Sequence, residues 1–503
     1  MAEKKKIRTI ITQDAEVDDQ NSLRHFLFYA NEMELQGIVQ TSSIFHWIGL
    51  PGAKRKERTI SEHEFPGAVD EPYDKPYRWT GTDWMFRTVD DYEKDYPKLS
   101  RHAEGYPAPD ELRDMIKIGN VGYPGEMEYP TEGSELIREK ILDEDPRTLY
   151  LQVWGGTNTI ARALLDIQKQ YETDDGWPQL KETITKKIVI TACGEQDPTY
   201  REYIAEEWPG IRFVKTLQME SYAYPWFIMP EGESKDCLWS EFMKQEILFT
   251  DSALAGGYCT WLDGKYYEGE GERGQFGTNE KIADSFLDGF PVDLKEGCGP
   301  KQYDFLSEGD SPTFFVFLDW GFRTLEDFTY GGLSGRYVRE HGQRNSKGED
   351  LNVWNVVKDW YTDRDGKETE EESMWQYVAD IQRDFAAHAG WCDAEAEGEY
   401  RPRFRIENGV DYTVKPGERV TFRILPESRT AGRDSNIAYT WKIYKEASTA
   451  CAAGLAVKAE HLSGTLDIPA DAKSKDQIHV IVKAQGSGHY HLTYYQQIII
   501  SVI

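Results

Sequence analysis

The sequence has few cysteines and no long apolar run. Its 503 residues include only six cysteines, none in a Cys-x-x-Cys pair: Cys193, Cys237, Cys259, Cys298, Cys392 and Cys451. Their wide spacing matches no zinc or disulfide pattern, so we expect small buried thiols. No apolar stretch approaches the roughly 20 residues that a membrane helix needs, so a membrane partner is not expected.

Positive charge is also scarce. Lys and Arg total 58 against 88 Asp and Glu, which gives a formal net charge of −30. This charge repels phosphate backbones and anionic membrane surfaces, so we expect no nucleic-acid partner. It attracts divalent cations and leaves neutral ligands unaffected. A small molecule or an oligosaccharide is therefore the expected partner. The sequence leaves open whether the protein forms a homo-oligomer.

The N-terminus lacks the apolar segment of a secretory signal peptide. Residues 3–6 are all charged and lead directly into a predicted strand. We therefore expect a cytoplasmic protein. The alternative is a secreted or periplasmic protein whose signal peptide has been removed.

Strand and helix patterns alternate along the first part of the chain. The β-branched run 7–12 predicts a buried strand, residues 23–30 repeat apolar side chains at helical spacing, and residues 35–41 predict the next strand. A strand–helix–strand unit of this kind predicts a parallel sheet.

The alternation is interrupted once and then resumes. Residues 44–120 are rich in Pro, Gly, Trp and charge, and we expect an insertion with one or two helices over one end of the sheet. Further elements are predicted at 134–142, 148–154, 158 onwards, 187–192 and 211–214. Ligands bind at the carboxyl ends of the strands in open α/β sheets, so the loops after these strands are the candidate site.

The composition changes after Trp391. The acidic stretch 393–399 is typical of a linker, and short alternating strands with turn signals follow it. We predict two domains. Residues 1–395 form an α/β domain with a mostly parallel, doubly wound sheet, and residues 396–503 form an immunoglobulin-like β-sandwich.

The most informative stretch is Asp14-Ala-Glu-Val-Asp-Asp19, which follows the first strand. It places four carboxylates within six residues. These charges repel one another, and the dipole of the following helix offsets only ~0.3–1 kcal/mol per charge. A hard divalent cation such as Ca²⁺ would relieve the repulsion. The alternative is a solvated acidic loop in which Asp18 or Asp19 caps the helix.

This stretch resembles the N-terminal aspartate fingerprint of nucleoside hydrolases, Asp-x-Asp-x-x-x-Asp-Asp. It departs from that form twice, because the gap is two residues shorter and Glu16 replaces the second Asp. It is more similar to a nucleoside-hydrolase-like subfamily once described as cellulose-binding. That subfamily has the form Asp-x-Glu-x-Asp-Asp and a Thr-Ser-Ser strand end, here residues 41–43.

The resemblance extends over nearly the whole chain. Residues 154–158, Trp-Gly-Gly-Thr-Asn, resemble the turn in which a Thr carbonyl binds calcium in the superfamily. Residues 308–314, Glu-Gly-Asp-Ser-Pro-Thr-Phe, look like the subfamily's version of the late Asp that completes the metal site. Residues 331–337, residues 375–392 and the terminal sandwich also fit the subfamily.

The resemblance implies a role for each matching residue. Glu16 corresponds to the general base and metal bridge, and Asp14 to the first Asp of the site. Asp18 corresponds to an acceptor for sugar hydroxyls. The implied calcium ligands are Glu16, Asp19, the carbonyl of Thr157 and the carboxylate of Asp310.

Six further residues are candidates for substrate binding, because they lie near predicted strand ends or could stack on a sugar: Ser43, His46, Trp79, Asn158, Glu195 and Asp197. Three of them have a named structural alternative. Asn158 could cap the following helix, His46 could pack under the insertion, and Trp79, with Trp84, could belong to the core.

Two classes of function follow. The first is a metal-dependent hydrolase that cleaves a glycosidic bond at a furanose-like or cis-diol sugar, with water activated by a carboxylate. A hydrolase of N-ribosyl nucleosides is a variant of this class. The second is a carbohydrate-binding protein that retains the metal–sugar site without turnover.

Overall fold

The structure is a computed structural model that describes residues 6–54, 71–265, 300–393, 397–427 and 436–503. Cys298, the first residues of the chain and the predicted domain boundary at 395/396 lie outside these ranges. Among the described residues, no helix is long and apolar enough to cross a membrane.

A single eight-stranded sheet organises the first part of the chain. The strand order is β3-β2-β1-β4-β5-β6-β8-β7, and all neighbouring pairs are parallel except the edge pair β7–β8. The predicted mostly parallel, doubly wound sheet is therefore confirmed. The strands are β1 (Ile7–Gln13), β2 (Met33–Gln40), β3 (Ile116–Ile118), β4 (Leu149–Val153), β5 (Ile188–Ala192), β6 (Arg212–Lys215), β7 (Tyr337–Arg339) and β8 (Val353–Val356).

Helices cover both faces of this sheet. On one face, a core that includes Ile10, Leu151 and Ile190 packs against helices α4 (Glu132–Leu142), α5 (Asn158–Tyr171) and α6 (Trp177–Lys187). On the other face, Ile11 and Ile38 pack with α1 (Val17–Phe28), α2 (Asp83–His102) and the helix Val378–Gly390. The central strands are buried on both sides because of this double cover, which explains their nearly continuous apolar sequence.

The interval 44–120 differs from a simple insertion. It carries the expected helices, α2 and a shorter α3 (Pro109–Met115), but it also ends in β3. β3 pairs in parallel with β2 and so extends the main sheet by an edge strand. A three-residue strand is too short to give a readable alternation, which explains why the sequence did not predict it.

Two four-stranded sheets form the C-terminal part of the chain. A two-stranded hairpin, β9 (Lys358–Thr362) and β10 (Glu368–Glu372), lies before them. The strands of the two sheets are β11 (Phe404–Ile406), β12 (Asp411–Val414), β13 (Arg419–Pro426), β14 (Ala438–Ile443), β15 (Lys458–Glu460), β16 (Ser463–Asp467), β17 (Gln477–Gln485) and β18 (Thr493–Val502). The strand orders are β11-β13-β16-β15 and β12-β18-β17-β14, and all pairs are antiparallel except β12–β18. Phe422 and Val480, from opposite sheets, belong to one shared core, so the two sheets form a β-sandwich.

The sandwich is attached to the α/β part through buried polar contacts. Asp380, on the helix Val378–Gly390, accepts hydrogen bonds from Lys483 Nζ at 2.8 Å and from the Tyr495 hydroxyl. The backbone N–H of Tyr495 also donates to the Trp320 carbonyl at 3.0 Å. These contacts connect β17 and β18 directly to the larger core.

The cysteines in the described ranges are free thiols. Cys193, Cys237, Cys259 and Cys392 are buried, and Cys451 is half-buried.

Candidate functional site

The loops that follow β1, β2, β4 and β5 meet at the carboxyl edge of the sheet. Backbone hydrogen bonds join them just past the strands. Thr41 N–H donates to the Gln13 carbonyl at 2.7 Å, and Gly156 N–H donates to the Ser42 carbonyl at 3.0 Å. The adjacent positions of β1 and its neighbours, β2 and β4, therefore bring distant sequence segments together around Asp14.

The acidic loop after β1 is buried. Asp14 and Asp19 are each 1% exposed and Asp18 is 8% exposed, so the alternative of a solvated acidic loop is wrong. Glu16, rather than Asp18 or Asp19, occupies the N-cap position of α1. Ala15 has a φ of 75°, a left-handed conformation that costs a non-glycine residue on the order of 1 kcal/mol. Such local strain is typical of functional sites.

Six side chains at this edge form two groups. Asp18, Asp19 and Asp310 make up the Asp310 group, and Asp14, Glu16 and His46 make up the His46 group. In each group, the potential ligand atoms lie within 4.8 Å of one another. The backbone N–H of Asp14 donates to Asp19 Oδ1 at 3.1 Å, so the two groups adjoin.

The Asp310 group strongly resists full ionisation. Burial raises the pKa of Asp19 well above its usual value, and the charges of Asp14, Asp310 and Asp18 raise it further. Burial likewise raises the pKa of Asp310, with added repulsion from Asp18 and Asp14, although a hydrogen bond with Cys193 acts in the opposite direction. A cation at this position would favour the ionised forms.

The His46 group has a different electrostatic balance. Burial would raise the pKa of Asp14, but the hydrogen bond and charge of His46, assisted by Asp19 and Ser43, lower it below its usual value. His46 Nδ1 lies 3.7 Å from Asp14 Oδ2, and both side chains are inaccessible to solvent. Asp14 is therefore more readily ionised than Asp19 or Asp310.

The donor set of the Asp310 group fits a divalent cation. Asp310 Oδ2 is buried and has no hydrogen-bond partner among the described residues. A buried carboxylate oxygen without a partner is costly, and oxygen ligands gathered in this way are those that Ca²⁺ prefers. The predicted ligands Asp19 and Asp310 are brought together here with Asp18, whereas Glu16 groups with Asp14 and His46.

Glu16 contacts residues that the sequence did not indicate. Arg78 Nη2 lies 3.2 Å from Glu16 Oε1, and the Tyr224 hydroxyl lies 3.4 Å from the same oxygen. The Tyr224 hydroxyl is also 3.5 Å from Asp18 Oδ1. No local pattern marks Tyr224 as a site residue, because its separation from Glu16 is 208 positions.

The predicted residue Trp79 lies in the loop over this site. It is half-buried between Arg78 and Thr80, and the Thr80 hydroxyl lies 3.5 Å from the Ala15 carbonyl. Trp84, by contrast, belongs to the core around α1 and α2. The loop that contains Trp79 is thus held over the acidic cluster.

The turn 154–158 packs directly against the acidic loop. A Cβ atom on Gly155 would lie 2.7 Å from Asp14 Cβ, and one on Gly156 would lie 2.3 Å from the Ser42 carbonyl oxygen. Only glycine permits this approach. The Thr157 carbonyl accepts a hydrogen bond from Ala161 N–H at 2.9 Å within α5.

Asn158 and Asp197 hold this edge of the sheet together. The Asn158 side chain donates to Ser42 Oγ at 3.0 Å and to the Asn120 carbonyl at 2.8 Å. Asp197 accepts hydrogen bonds from Asn158 N–H and the Thr157 hydroxyl, both at 2.9 Å. The structure therefore places both residues in contacts that position the loops.

Glu195 and Ser43 also have defined protein partners. Glu195 is 2% exposed and pairs with Arg201 at 2.5 Å and with Lys215 at 2.7 Å. Ser43 Oγ accepts from Phe45 N–H at 2.9 Å. Ser43 lies next to Asp14, whereas Glu195 belongs to a separate ion-pair network.

One face of α1 holds the turn that carries Asp310. The Asn21 side chain donates to the Ser307 carbonyl at 3.1 Å, and Ser22 Oγ lies 3.0 Å from Ser311 Oγ. These contacts link the helix that starts beside Asp18 and Asp19 to the turn that ends at the short helix Pro312–Phe315. They determine the distance between Asp310 and the two α1 residues of the Asp310 group, Asp18 and Asp19.

Two family models match the chain. One, described as the nucleoside hydrolase-like domain of cellulose-binding Sde182, matches residues 8–337, and the other, described as the C-terminal domain of cellulose-binding protein Sde0182, matches residues 428–502. None of the curated proteins compared with the chain matches it.

One solved structure shows the same fold. A nucleoside hydrolase-related protein from Saccharophagus degradans, associated with carbohydrate metabolism, is 20% identical with a TM-score of 0.68; the match covers 99% of this chain and 100% of that one. A plant nucleoside hydrolase is 11% identical with a TM-score of 0.34, over 76% of this chain and 99% of that one. The first similarity supports the fold of the whole chain.

Proposed function

This chain belongs to the family of cellulose-binding Sde182 proteins with a nucleoside hydrolase-like domain, and we propose that it is a metal-dependent hydrolase of a glycosidic bond. The observation that carries this proposal is the burial of Asp18, Asp19 and Asp310 around one position, with Asp310 Oδ2 lacking a hydrogen-bond partner among the described residues. A protein that only packs its core has no reason to bury these repelling carboxylates together.

The Asp310 group would hold the cation, and Ca²⁺ is the proposed ion because all ligands offered by this group are oxygens. A bound divalent cation supplies Lewis acidity, which lowers the pKa of water and orients sugar hydroxyls. Asp18 faces Ser307 Oγ at 3.3 Å and the Tyr224 hydroxyl at 3.5 Å. Its carboxylate is positioned to accept a hydrogen bond from a sugar hydroxyl at this surface.

Glu16 is the proposed general base, with Asp14 beside it. Glu16 is the most accessible carboxylate of the cluster, with a side chain that is 15% exposed. It can therefore accept a proton from water at the substrate side. Arg78 and Tyr224 orient its carboxylate through Oε1. Negative charge around the cluster would stabilise an oxocarbenium-like sugar as the glycosidic bond breaks.

The experiment that tests this function is sugar release. Purified protein with Ca²⁺ is incubated with a panel of oligosaccharides, furanosides and nucleosides, and the products are identified by mass spectrometry. We expect release by the wild type and a loss of at least about 100-fold in the Glu16→Gln variant, a typical effect of removing a general base. Glu202→Gln, at an exposed position of the segment Tyr200–Ile204, serves as the matched control and should retain activity.

The metal requirement is tested separately. Calcium titration by calorimetry should show binding by the wild type and strongly weakened binding by Asp19→Ala. Equal calcium binding by both proteins would contradict the proposed metal site. Equal sugar release by the wild type and Glu16→Gln would contradict the role of Glu16.

A second candidate function is carbohydrate binding without turnover. The specific observation in its favour is that Glu16 Oε1 already contacts both a guanidinium and a phenol, which leaves this oxygen less able to accept a proton from water. The family description also names cellulose binding. Calcium-dependent binding of cello-oligosaccharides in calorimetry, with no product by mass spectrometry, would favour this function.

A further inference from the structure

One tryptophan differs from all the others in its exposure to solvent. All 15 tryptophans of the chain lie in the described ranges, and only Trp360, on β9, is exposed, at 58%. An indole left in water forgoes the stabilisation that burial would give it, and tryptophans are on average highly buried. Trp360 therefore contributes little to the core and presents a flat apolar surface to solvent.

A carboxylate lies beside this indole on the same face of the hairpin. Along β9, exposed and buried side chains alternate, so Trp360 points outwards. Trp360 pairs with Glu370 of β10 in the antiparallel register, and Glu370 is exposed as well. Residues paired in this way have Cβ atoms roughly 4.5–5.5 Å apart. Among the described residues, no hydrogen bond, ion pair or ring contact occupies either side chain.

The inward side chains of β9 hold the indole in place. Asp359 accepts hydrogen bonds from Arg336 Nη2 and from the Tyr444 hydroxyl, both at 2.6 Å. The Tyr361 hydroxyl donates to the Ser373 carbonyl at 3.2 Å. Because these contacts fix the backbone on both sides of Trp360, a ligand that stacks on the ring pays little for ordering the hairpin.

The hairpin lies at the edge of the sheet that carries the acidic cluster. It begins two residues after β8, which runs parallel to β6, so it extends from the carboxyl edge. Glu372 at the end of β10 accepts a hydrogen bond from Ser221 N–H at 2.8 Å. Ser221 is three positions before Tyr224, whose hydroxyl faces Glu16. The indole and the acidic cluster are thus connected through one short segment.

The chemistry of this face favours a neutral and flat sugar chain. The net charge of −30 and the exposed carboxylates Glu368 and Glu370 repel anionic ligands. A carboxylate accepts hydrogen bonds, which sugar hydroxyls donate. In a β-1,4-linked glucan, the hydroxyls and the linkages are equatorial, so each face of a ring presents only C–H groups. Such a face can lie flat on an indole.

We propose that Trp360 and Glu370 form a subsite for one ring of a β-1,4-linked glucan chain, outside the acidic cluster. The ring stacks on the indole, and its hydroxyls donate to the Glu370 carboxylate. This inference rests on the proposed function for the class of ligand, and it extends that function from a single sugar to a chain.

The test is calorimetric titration of the full-length protein with cellohexaose in the presence of Ca²⁺. We expect binding by the wild type and a loss of affinity of about 10-fold or more in Trp360→Ala, as for other exposed tryptophans that anchor a ligand. Trp360→Tyr retains a ring and should lose less. Phe249→Ala removes another exposed aromatic ring, 67% accessible, and should bind as the wild type. Circular dichroism checks that each variant is folded.

Absence of binding by the wild type, or equal affinity of the wild type and Trp360→Ala, would overturn the inference. Two further results would overturn it as well. The first is Trp360-dependent binding of adenosine but not of the hexaose. The second is a wild-type dimer that dissociates in Trp360→Ala, measured by sedimentation velocity, since the face would then be an interface between two copies of the chain.

Sugar release measured in parallel separates this inference from the proposed function. Weaker hexaose binding by Trp360→Ala without any sugar release by the wild type would contradict only the proposed function. Sugar release by the wild type with unchanged hexaose binding by Trp360→Ala would contradict only the subsite.

Discussion

His25 and Glu308 form a buried pair in which His25 Nδ1 lies 2.7 Å from Glu308 Oε2, and neither side chain is exposed to solvent. His25 is on α1, and Glu308 lies two positions before Asp310. The Ser311 hydroxyl also donates to Glu308 Oε2, at 2.5 Å, and the Tyr258 hydroxyl donates to Glu308 Oε1. The pair therefore holds α1, which carries Asp18 and Asp19, in a fixed position relative to the turn that carries Asp310.

Replacing Glu308 with Gln should weaken both stability and cation binding. The amide cannot accept from Ser311, Tyr258 and His25 together, so at least one buried donor loses its partner. We expect the free energy of unfolding to fall by about 3 kcal/mol and calcium affinity to fall about 10-fold or more. Chemical denaturation and calorimetry measure the two effects.

Glu182→Gln is the control for this prediction, because it removes an exposed pair with Lys186 on α6. It should leave both quantities unchanged. Unaltered calcium affinity in Glu308→Gln would show that the buried pair does not position the ligands.

Gly155→Ala should displace Asp14. The added methyl group would lie 2.7 Å from Asp14 Cβ and 3.0 Å from Asp14 Cγ, so one of the two loops must move. Overpacking of this kind costs roughly 1–3 kcal/mol, and we expect a comparable loss of cation affinity. Gly176→Ala, where the added atom meets nothing within 4 Å, should behave as the wild type in thermal unfolding and metal titration.

Glu372 should make the stability of the protein depend on pH. Burial raises its pKa from 4.5 to about 7, and the charge of Glu220 adds to this, while hydrogen bonds from the backbone and side chain of Ser221 act against it. The folded protein therefore retains a proton that the unfolded chain releases. Stability from this group is present below pH 4.5 and is lost as the pH rises towards about 7.

Glu372→Gln removes this titration. Its thermal midpoint, relative to that of the wild type, should rise with pH across this window and then level off. Glu370→Gln, at an exposed position of the same strand, should show a constant difference. A pH-independent difference for Glu372→Gln would mean that the group is already ionised in the folded state.

Asp380→Ala should loosen the sandwich from the α/β part. The substitution leaves the buried Tyr495 hydroxyl without its acceptor and removes the ion pair with Lys483. We expect a loss of about 2 kcal/mol and the separation of one calorimetric transition into two. Asp411→Ala breaks an exposed contact with Arg323 at the same interface and should retain a single transition.

The sequence determined the order of the main elements and the place of the acidic cluster. Short, nearly continuous apolar runs predicted β1, β4 and β5, because strands buried on both faces have a composition that the local sequence reveals. The motif Asp14–Asp19 also carried the resemblance to the nucleoside-hydrolase-like family, which the family match over residues 8–337 confirms. A three-residue strand such as β3 offers too little pattern to be predicted.

Only the tertiary structure decided which of these residues share a site. Tyr224 meets Glu16 across 208 positions, and His25 meets Glu308 across 283. The same structure places Asp197 at the start of α5 and brings Glu16 together with Asp14 and His46. Residues so far apart in the chain come into contact only when the parallel sheet brings the carboxyl ends of its strands together. No local sequence pattern therefore indicates their partners.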